Sequence, residues 1–482
     1  MRMSNRDQSA RSTLLGNEPV GRLLAKMAVP ATVAMFVNAL YNVVDTIFVG
    51  RGVGALAIGG LSVAFPLQMI VISIGLMIGI GAASIVSRSL GAGDAERAAR
   101  TVGTAFTLAA LFAIAVSAAS YAFIDPLVRL FGATDELFTY ARDYLSVILP
   151  GAVFVSFAIA SNHLVRSEGQ ALASMTIMLV GAVSNIILDP IFIFGFDMGI
   201  RGAALATVVG QFLSFSYAIF FYLSGKSGLA LRPHHLVPRP AIVRELLALG
   251  VPTFIRQFGA SFFVIVTNNA LAAYGGNIAI SAFGVIHKVL IFSLMPLFGI
   301  AQGFQPIAGY NYGAGKLLRV REAVRKAAAT SVITASIFFT AVMLFPAAIF
   351  SLFSTSTELI SLGSYAIRIV LLVIPLIGLQ ITGTVFFQAV GMAIPSLVLS
   401  LSRQILLLIP LVVVLPRFFG LSGVWMAFPV ADVLATLITV VWLRYEMRKL
   451  HITGCRDAAV DQAGCADQPA GPVLAAQSQP AR

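Results

Sequence analysis

The chain has 482 residues, of which 58% are hydrophobic and only 11% are charged, and its formal net charge is +12. Because soluble proteins carry about 25% charged residues, this composition excludes an ordinary water-soluble domain. The basic residues are spread over many short polar segments instead of being gathered in one domain, which argues against a nucleic-acid-binding protein.

Apolar runs of about 20 residues, the length that crosses a bilayer, recur along the whole sequence. A helix satisfies all of its backbone groups within one segment in lipid, so we predict helices for these runs. The predicted fold class is an all-α integral membrane protein with twelve transmembrane helices in two pseudo-symmetric six-helix bundles. The predicted spans lie near 28–49, 57–83, 99–124, 140–164, 174–195, 201–224, 245–272, 279–306, 322–347, 361–388, 396–416 and 422–445.

The two halves of the chain repeat each other at a constant offset of 222 residues. Pro30 aligns with Pro252 and Gly169 with Gly391, and the sequence Gly-Ala-Gly occurs at 91–93 and again at 313–315. Constant spacing over so long a stretch indicates that one hydrophobic bundle is used twice. Many transporters are built from such repeats, with the substrate site between them.

The repeat and the changes in composition predict two lobes joined by a linker. The linker is basic and rich in Pro and Gly, and the small, polar tail is typical of disorder. Both cysteines, Cys455 and Cys465, lie in that tail and suggest neither a disulfide framework nor a metal site. The predicted organisation is a cytoplasmic N-terminal segment 1–20, an N-lobe 21–225, a cytoplasmic linker 226–241, a C-lobe 242–450 and a disordered cytoplasmic tail 451–482.

Lys and Arg are distributed unevenly between the two faces of the predicted bundle. Most of them fall in the N-terminal segment, the linker, the tail and the loops on the same face, which predicts that both termini are cytoplasmic. The opposite face has only Arg51, Arg129, Arg142, Arg201 and Arg417.

Two acidic residues lie well inside predicted spans of the first half, Asp45 in the first span and Asp189 in the fifth. An ionisable residue at bilayer depth costs about 2.5–3.5 kcal/mol on insertion scales, so each one needs a reason. Tyr41 precedes Asp45 by four residues and Asn185 precedes Asp189 by four, which places each pair on one helix face. Each of these spans therefore carries a polar stripe.

Thr207 and Gln211 form a third polar stripe, on the sixth span, and Gln211 is also a candidate for a substrate cavity. Two carboxylates in a small dry pocket cannot both stay charged at low cost, so they can take up a proton, or a Na⁺ held by oxygen ligands. Ion binding would then bias the packing of the helices. Pro30, fifteen residues before Asp45, removes a backbone hydrogen bond and predicts a bend point. The alternative is that both acids pair with arginines or cap broken helices.

The second half lacks a copy of this acidic pair, because Asp45 aligns with Thr267 and Asp189 with Leu411. The predicted coupling site therefore belongs to the N-terminal bundle alone.

The charged residues within the spans of the second half are mainly basic. Arg368 and Arg403 lie close enough to predicted span ends to reach an interface. Arg256 and Lys288 lie nearer mid-span, and two interpretations of them stay open. One of them pairs with Asp432, the single acid well inside these spans, or they form a positively charged cavity wall that takes an anionic or zwitterionic group.

Histidine offers little support for a metal site. His163, with Arg166, ends the fourth span, and His287 is isolated within the eighth. No Cys or second His is suitably placed, so no metal is predicted beyond a Na⁺ at Asp45 and Asp189.

The early proline, VVDTIFVG at 43–50, SLGAGD at 89–94 and SNIILDP at 184–190 together resemble the multidrug and toxic compound extrusion (MATE) transporters. The resemblance covers about residues 20–448 and is specific as a combination. The spacings match the DinF-like prokaryotic branch, and RSEGQA at 166–171 resembles related bacterial drug exporters. The family implies a V-shaped pair of bundles, alternating access, and export of drug-like compounds against entry of H⁺ or Na⁺.

By this resemblance Pro30 is the hinge of the first span. The NorM-like branch carries acids in the seventh and tenth spans, where this chain has Arg256 and Arg368, so the resemblance does not extend to a C-lobe cation site. The cation-coupling site that the resemblance implies consists of Asp45, Asn185, Asp189, Thr207 and Tyr41.

We therefore predict a secondary antiporter, not an enzyme, that exports amphipathic organic compounds across the bacterial cytoplasmic (inner) membrane. The expected partners are small organic substrates and the lipid bilayer, without nucleic acid, and a monomer without a cofactor other than the coupling H⁺ or Na⁺ is expected. One alternative is a flippase or exporter of a lipid-linked or anionic substrate, favoured by the basic residues of the second half. Another is a membrane acyl or glycosyl transferase, for which His163 and Arg166 are the only candidate constellation.

Overall fold

The computed structural model describes the backbone of residues 14–466, and the side chains of that range apart from residues 55, 261 and 454–466. All regular secondary structure in this range is helical. The helices of the first half are α1 Val20–Gly52, α2 Ala55–Gly91, α3 Ala95–Ala122, α4 Asp135–Ile148 with Ala152–Ser167, α5 Ala171–Pro190 and α6 Gly199–Leu223. Helix α5 continues as a π-helix at Ile191–Gly195, and short helices lie at Ile124–Leu130 and, in the linker, at Pro233–Leu236.

The second half begins with one helical stretch, Pro240–Gly313, of 74 residues. At 1.5 Å per residue it would be about 110 Å long, several times the thickness of a bilayer. Gly276, with φ +65° and ψ −163°, divides it into α7 before this residue and α8 after it. The remaining helices are α9 Leu317–Leu344, the short helix Pro346–Ser351, α10 Thr357–Val370 with Ile374–Ala389, α11 Ala393–Leu401 continuing through Ser402–Leu408 and Ile409–Val414, and α12 Pro416–Ala466.

These helices give the predicted number of spans. In residues 14–466, nine helices are long and apolar enough to cross a membrane, and the bent pairs of α4 (59°) and α10 (45°) bring the number to 11. The division at Gly276 adds one more, so the prediction of twelve transmembrane helices is confirmed. Helix α12 continues to Ala466, so residues 451–466 of the predicted disordered tail are helical, and the rest of the tail lies outside the described residues, as do residues 1–13.

The repeat is visible in the backbone at the helix ends. Three pairs of glycines separated by 222 positions adopt a left-handed conformation, which glycine reaches without the steric cost of a Cβ. The same turns are therefore built twice, once in each lobe. The pairs are Gly54 and Gly276 (φ +116° and +65°), Gly93 and Gly315 (+76° and +71°), and Gly169 and Gly391 (+84° and +86°).

The two lobes meet on the side of the bundle that carries the linker. A Cβ on Gly91 would lie 1.9 Å from the carbonyl oxygen of Tyr310, and one on Gly313 would lie 2.0 Å from that of Arg88. These two contacts exchange under the 222-residue offset, so the interface has the twofold character expected of a duplicated bundle. Small residues let the helix backbones approach this closely.

An ion-pair cluster closes the same side of the lobe interface. Glu245, at the start of α7, accepts from Arg88 Nη2 at 2.8 Å and from Arg97 Nη2 at 2.6 Å, so one C-lobe carboxylate holds two N-lobe guanidinium groups. Towards the opposite side, the lobes still touch at Phe36 of α1, whose ring packs edge-to-face on Phe292 of α8 at a centroid distance of 5.3 Å.

The linker is docked onto the N-lobe. The absence of a side chain at Gly103 lets the carbonyl of His235 approach α3, and the Thr107 hydroxyl donates to the Leu236 carbonyl at 2.6 Å. His235 Nε2 lies 3.3 Å from the Glu96 carboxylate, while its Nδ1 accepts from the Arg232 backbone N–H at 3.2 Å. The His235 ring is therefore fully engaged in holding the linker.

Candidate cation-coupling site

The structure brings the predicted polar stripes of α1, α5 and α6 together inside the N-lobe. Asp189 and Asn185 are buried on α5, with Asp189 0% exposed, and Thr207 of α6 is buried beside them. Asn185 Nδ2 lies 3.3 Å from Asp189 Oδ1 and 3.2 Å from Thr207 Oγ1, so one amide bridges the carboxylate and the hydroxyl.

The two carboxyl groups of the pocket are neighbours. Asp45 of α1 and Asp189 are within hydrogen-bonding reach of each other, and Tyr41, one turn before Asp45, lies close to both. Two charged carboxylates are acceptors only, so a hydrogen bond between them requires that one carries a proton. The contact is therefore suited to a proton or to a bound cation.

Three oxygens of this pocket are buried without a donor. They are Asp45 Oδ1, Asn185 Oδ1 and Asp189 Oδ2, and the described residues supply no hydrogen-bond partner for any of them. Neither carboxylate has a basic residue within ion-pair distance in residues 14–453, so the alternative that these acids pair with arginines is wrong. Carboxylate, amide and hydroxyl oxygens of this kind fit a proton or a small hard cation such as Na⁺.

Two further residues of the pocket were missed by the sequence analysis. Tyr144 of α4 is buried next to Tyr41 and Asp45, and Gln68 of α2 donates to its hydroxyl oxygen at 2.9 Å. Gln68 is a lone polar residue in apolar surroundings, which is a signal that the sequence offers, whereas Tyr144 lies among other polar residues and is not conspicuous. The pocket is thus built by five of the six helices of the N-lobe.

Local backbone chemistry supports the position of Asp189. Pro190 follows it directly and removes one backbone N–H, and the helix continues from Ile191 to Gly195 with π-helical hydrogen bonds. Such π segments occur frequently at functional sites, where they reorient side chains. Helix α1 runs without interruption through Pro30, which is buried; its role as a hinge stays a prediction.

Helix α1 presents a second polar face, which the sequence analysis did not identify. Asn38, Asn42 and Thr46 follow one another at intervals of four residues, and all three are exposed. Asn42 Nδ2 donates to the Asn38 carbonyl at 2.7 Å, and Thr46 Oγ1 donates to the Asn42 carbonyl at 2.8 Å. An exposed polar stripe within a spanning helix indicates a water-filled cavity, here beyond the lobe contact at Phe36 and beside the acidic pocket.

The structure shows which basic residue of the C-lobe pairs with Asp432. Arg403 Nε lies 2.5 Å from Asp432 Oδ1, and the two side chains are 16% and 3% exposed. The expectation that Arg403 reaches an interface is therefore wrong, as is the alternative that Asp432 pairs with Arg256 or Lys288. Gln211 is partly exposed, and its place in a substrate cavity stays a prediction.

Arg256 and Lys288 lie against aromatic rings. The Arg256 guanidinium carbon is 5.9 Å from the Phe298 ring centre, and Lys288 Nζ is 5.8 Å from that of Phe353. Among the described residues, neither has an acid within ion-pair distance. Two intramembrane cations of the C-lobe are therefore without a counter-ion.

His163 and Arg166 serve a structural purpose at the lobe interface. Both are buried, and Arg166 donates to Asn162 Oδ1 at 2.6 Å, to Ser174 Oγ at 2.9 Å and to Gln302 of α8. Arg166 thereby connects α4, α5 and the opposite lobe. This geometry offers no exposed acid–base pair for a transferase.

Fold and pocket together define a twice-repeated helical membrane protein of the kind that secondary transporters form. The MatE family model matches residues 30–191 and 252–414, two segments whose starting points differ by the same 222 residues as the repeat. The chain therefore belongs to the MatE family. Members of this family are transporters and not enzymes.

Individual relatives are distant but cover almost the whole chain. The multidrug export protein MepA of Staphylococcus haemolyticus is 24% identical over 89% of this chain and 94% of its own. A MATE crystal structure in a bent conformation has a TM-score of 0.87 at 24% identity, covering 92% of this chain and 99% of that chain. An outward-facing multidrug resistance MATE transporter has a TM-score of 0.85, also at 24% identity, over 91% and 98%. These similarities confirm the predicted family and fold.

Proposed function

We propose that the protein is a cation-coupled antiporter that exports amphipathic organic compounds from the cytoplasm by alternating access. The observation that carries this proposal is the N-lobe pocket, in which Asp45 and Asp189 lie together with three donor-free oxygens and no basic partner among the described residues. A pocket of this kind stabilises its helices best when a proton or Na⁺ is present. The name of the MepA relative, a multidrug export protein, supports the same substrate class.

Ion occupancy would be coupled to transport through α1. This helix places Asp45 in the pocket while its exposed face, with Asn38 and Asn42, borders the space between the lobes. A shift of α1 on ion binding would therefore change the cavity wall directly. Pro30 lies one turn before Ala34, in the segment that contacts α8, and is the proposed bend point.

The orientation follows from charge. The side with the linker carries most basic residues, so we place it in the cytoplasm of a bacterial cell, at the inner membrane, together with both termini. The lobes are in contact on that side, at Gly91 and Gly313, and as far as Phe36, which is compatible with a state that opens to the outside. In this proposal a single chain works as a monomer and needs no cofactor besides the coupling ion.

The test is dye accumulation in inverted membrane vesicles, with a gradient of either protons or Na⁺ directed outward and imposed separately. Wild-type protein should accumulate an amphipathic dye with one gradient, which identifies the ion. Asp45→Asn and Asp189→Asn should reduce this accumulation to the level of vesicles without the protein, because the pocket loses its ionisable oxygens. Asp135→Asn, an exposed acid outside the pocket, is the matched control. Gradient-driven accumulation by both pocket variants would refute the site.

A second candidate is transport of a lipid-linked or anionic substrate, favoured by Arg256 and Lys288, which lack acidic partners within the described residues. Reconstituted protein should then translocate a fluorescent polyisoprenyl phosphate between leaflets, and Arg256→Gln should slow it. Dye accumulation without any translocation of this lipid would favour antiport of drugs.

A further inference from the structure

A cavity of about 610 Å³ lies on the flank of the C-lobe that is remote from the linker. It is an open hollow on the protein surface between the short helix Pro346–Ser351 and the first segment of α10, Thr357–Val370. Gly363 lets these two helices approach, since a Cβ at this position would lie 2.1 Å from the Phe350 ring. The cavity wall includes Ala347, Ile360, Ser361, Ser364, Tyr365 and Arg368.

Arg368 is exposed in this cavity and lies within the membrane-spanning helix α10. Eleven residues separate it from the start of α10 at Thr357, which corresponds to about 17 Å along the helix axis. The other end of the span, at Ala389, is farther still. That Arg368 reaches an interface stays a prediction.

The charge of Arg368 is uncompensated in the structure. No described residue forms an ion pair or hydrogen bond with its guanidinium group, and the nearest acid along the helix, Glu358, is about 15 Å away along the axis. An arginine within a membrane-spanning helix is costly unless it has a counter-ion. The described residues therefore supply no counter-ion for Arg368.

Hydroxyl groups accompany this cation. Ser361, Ser364, Tyr365 and Arg368 are spaced at intervals of three and four residues, so they share one helix face. Ser364 Oγ is buried without a hydrogen-bond partner among the described residues, whereas the Tyr365 side chain is 52% exposed. Donors are thus available beside the guanidinium group.

The rest of the wall is apolar. Ile360, Ile369 and Ala347 line the cavity next to the polar face, which suits a hydrocarbon chain. A second unpaired cation is close to the same short helix, since Lys288 Nζ lies over the ring of Phe353, two residues after Ser351. An occupant should therefore combine a negative head with an apolar body.

We propose that this cavity binds the phosphate or carboxylate head of an anionic amphiphile. The planar guanidinium group of Arg368 binds two oxygens of the head, because its donors match the geometry of such anions. Ser364 and Tyr365 donate to the remaining oxygens, and the hydrocarbon chain packs on Ile360 and Ile369. The site concerns equilibrium binding and does not depend on the coupling mechanism proposed above.

The test measures the rise in Tm that dodecyl phosphate causes in the purified full-length protein, held in a neutral maltoside detergent. Wild type should show a saturable rise, and Arg368→Gln should weaken apparent binding at least about tenfold, because charge-assisted hydrogen bonds are lost. Arg368→Lys should keep part of the affinity, since lysine retains the positive charge but lacks the paired N–H donors of the guanidinium group. Arg417→Gln, an exposed arginine on the same side of the bundle, should bind like wild type.

Two comparisons distinguish a loss of binding from a loss of folding. Ser364→Ala leaves every charge in place and should weaken binding several-fold. Dodecyltrimethylammonium has the same chain with a cationic head, and its effect should not depend on Arg368. Equal binding of dodecyl phosphate by wild type and Arg368→Gln, an absent response in wild type, or an equal response to the cationic amphiphile would overturn the proposal.

Two further measurements identify the source of the anion. Inorganic phosphate alone tests whether the head is sufficient without a chain. If nanodiscs of phosphatidylglycerol remove the response to dodecyl phosphate while nanodiscs of phosphatidylcholine preserve it, a bilayer lipid occupies the site. If both preserve it, the occupant is a soluble amphiphile. Vesicle transport is a separate readout, so failure of the antiporter proposal and failure of this site are distinguishable.

Discussion

The two lobes share a backbone plan but carry opposite intramembrane charge. In the N-lobe Asp45 and Asp189 share a pocket without a basic residue, whereas the C-lobe has Arg256, Lys288 and Arg368 without acidic partners among the described residues. The acid that the C-lobe does bury, Asp432, is neutralised by Arg403. The duplicated frame thus holds an acidic pocket in one lobe and unpaired basic residues in the other.

The interior of the C-lobe shows what replaces the acidic pocket. Phe263 occupies the position equivalent to Tyr41, and its ring lies 6.3 Å from that of Phe283 and 5.7 Å from that of Phe428. Thr267, the counterpart of Asp45, is fully buried. An aromatic cluster needs no ion to be stable, whereas the N-lobe pocket holds two carboxyl groups without a basic partner among the described residues.

The strongest test of this contrast is to remove one acid from each lobe. Asp432→Asn leaves Arg403 charged and buried without a partner, which should lower the free energy of unfolding by about 3–5 kcal/mol. Asp189→Asn removes half of an uncompensated acidic pair and should leave stability unchanged or higher. Thermal unfolding of both variants in the same detergent measures the difference.

A double variant provides the control for this comparison. Arg403→Met together with Asp432→Leu removes both charges and should recover most of the stability lost in Asp432→Asn, because buried ion pairs are often replaceable by apolar residues. Equal stability of Asp432→Asn and wild type would mean that the Arg403–Asp432 contact is of no consequence, and the contrast between the lobes would lose its basis.

The sequence predicts those parts of the molecule that depend on local pattern. Lipid-length apolar runs predict the spans, and the 222-residue offset predicts repeated turns such as Gly93 and Gly315. The acidic pocket was found because a carboxylate within an apolar run, such as Asp189, is conspicuous by itself.

The remaining features depend on which helices become neighbours, and no local pattern encodes this. Tyr144 and Gln68 join the pocket only because α4 and α2 pack beside α1. The ion pair between Arg403 and Asp432 likewise requires the contact between α11 and α12. Helix α10 begins at Thr357, before the predicted span, because the polar residues at its start do not resemble a membrane helix.

A second difference between the lobes lies at the linker side and should make stability depend on pH. Glu168 follows α4 and is buried, whereas its counterpart in the C-lobe is Val390. Burial raises the pKa of Glu168 from its ordinary value of 4.5 to about 7, although Ser227 Oγ, at 2.8 Å, and the Gly228 N–H favour the charged form. The folded protein therefore holds this proton over a range in which the unfolded chain has released it.

The sign of the effect follows from that difference. As pH rises from about 4.5 to about 7, the unfolded state ionises first, so the free energy of unfolding should fall by an amount on the order of 3 kcal/mol and then level off. Glu168→Gln should flatten this part of the profile, as measured by Tm at intervals between pH 5 and pH 8. An unchanged slope in this variant would assign the pH dependence to other groups.

The smallest expected effect concerns the contact between the lobes. There a charged residue of one lobe corresponds to an apolar residue of the other. Glu245 binds Arg88 and Arg97, whereas its counterpart in the N-lobe is Leu23. Glu245→Gln should weaken closure of the linker side by less than about 1 kcal/mol, because these side chains are partly exposed and solvent screens them. The population with separated lobes should therefore rise by less than about fivefold.

Spin labels at Leu172 and Ile394, two exposed positions related by the repeat, would measure this separation in a variant with Cys455 and Cys465 replaced by Ser. The main distance should be unchanged in Glu245→Gln, with a larger share of longer distances. Glu322→Gln, which breaks an ion pair with Lys326 inside one helix, is the matched control and should leave the distribution as in wild type. If it broadens the distribution equally, the effect comes from surface charge in general, and Glu245 has no special part in holding the lobes together.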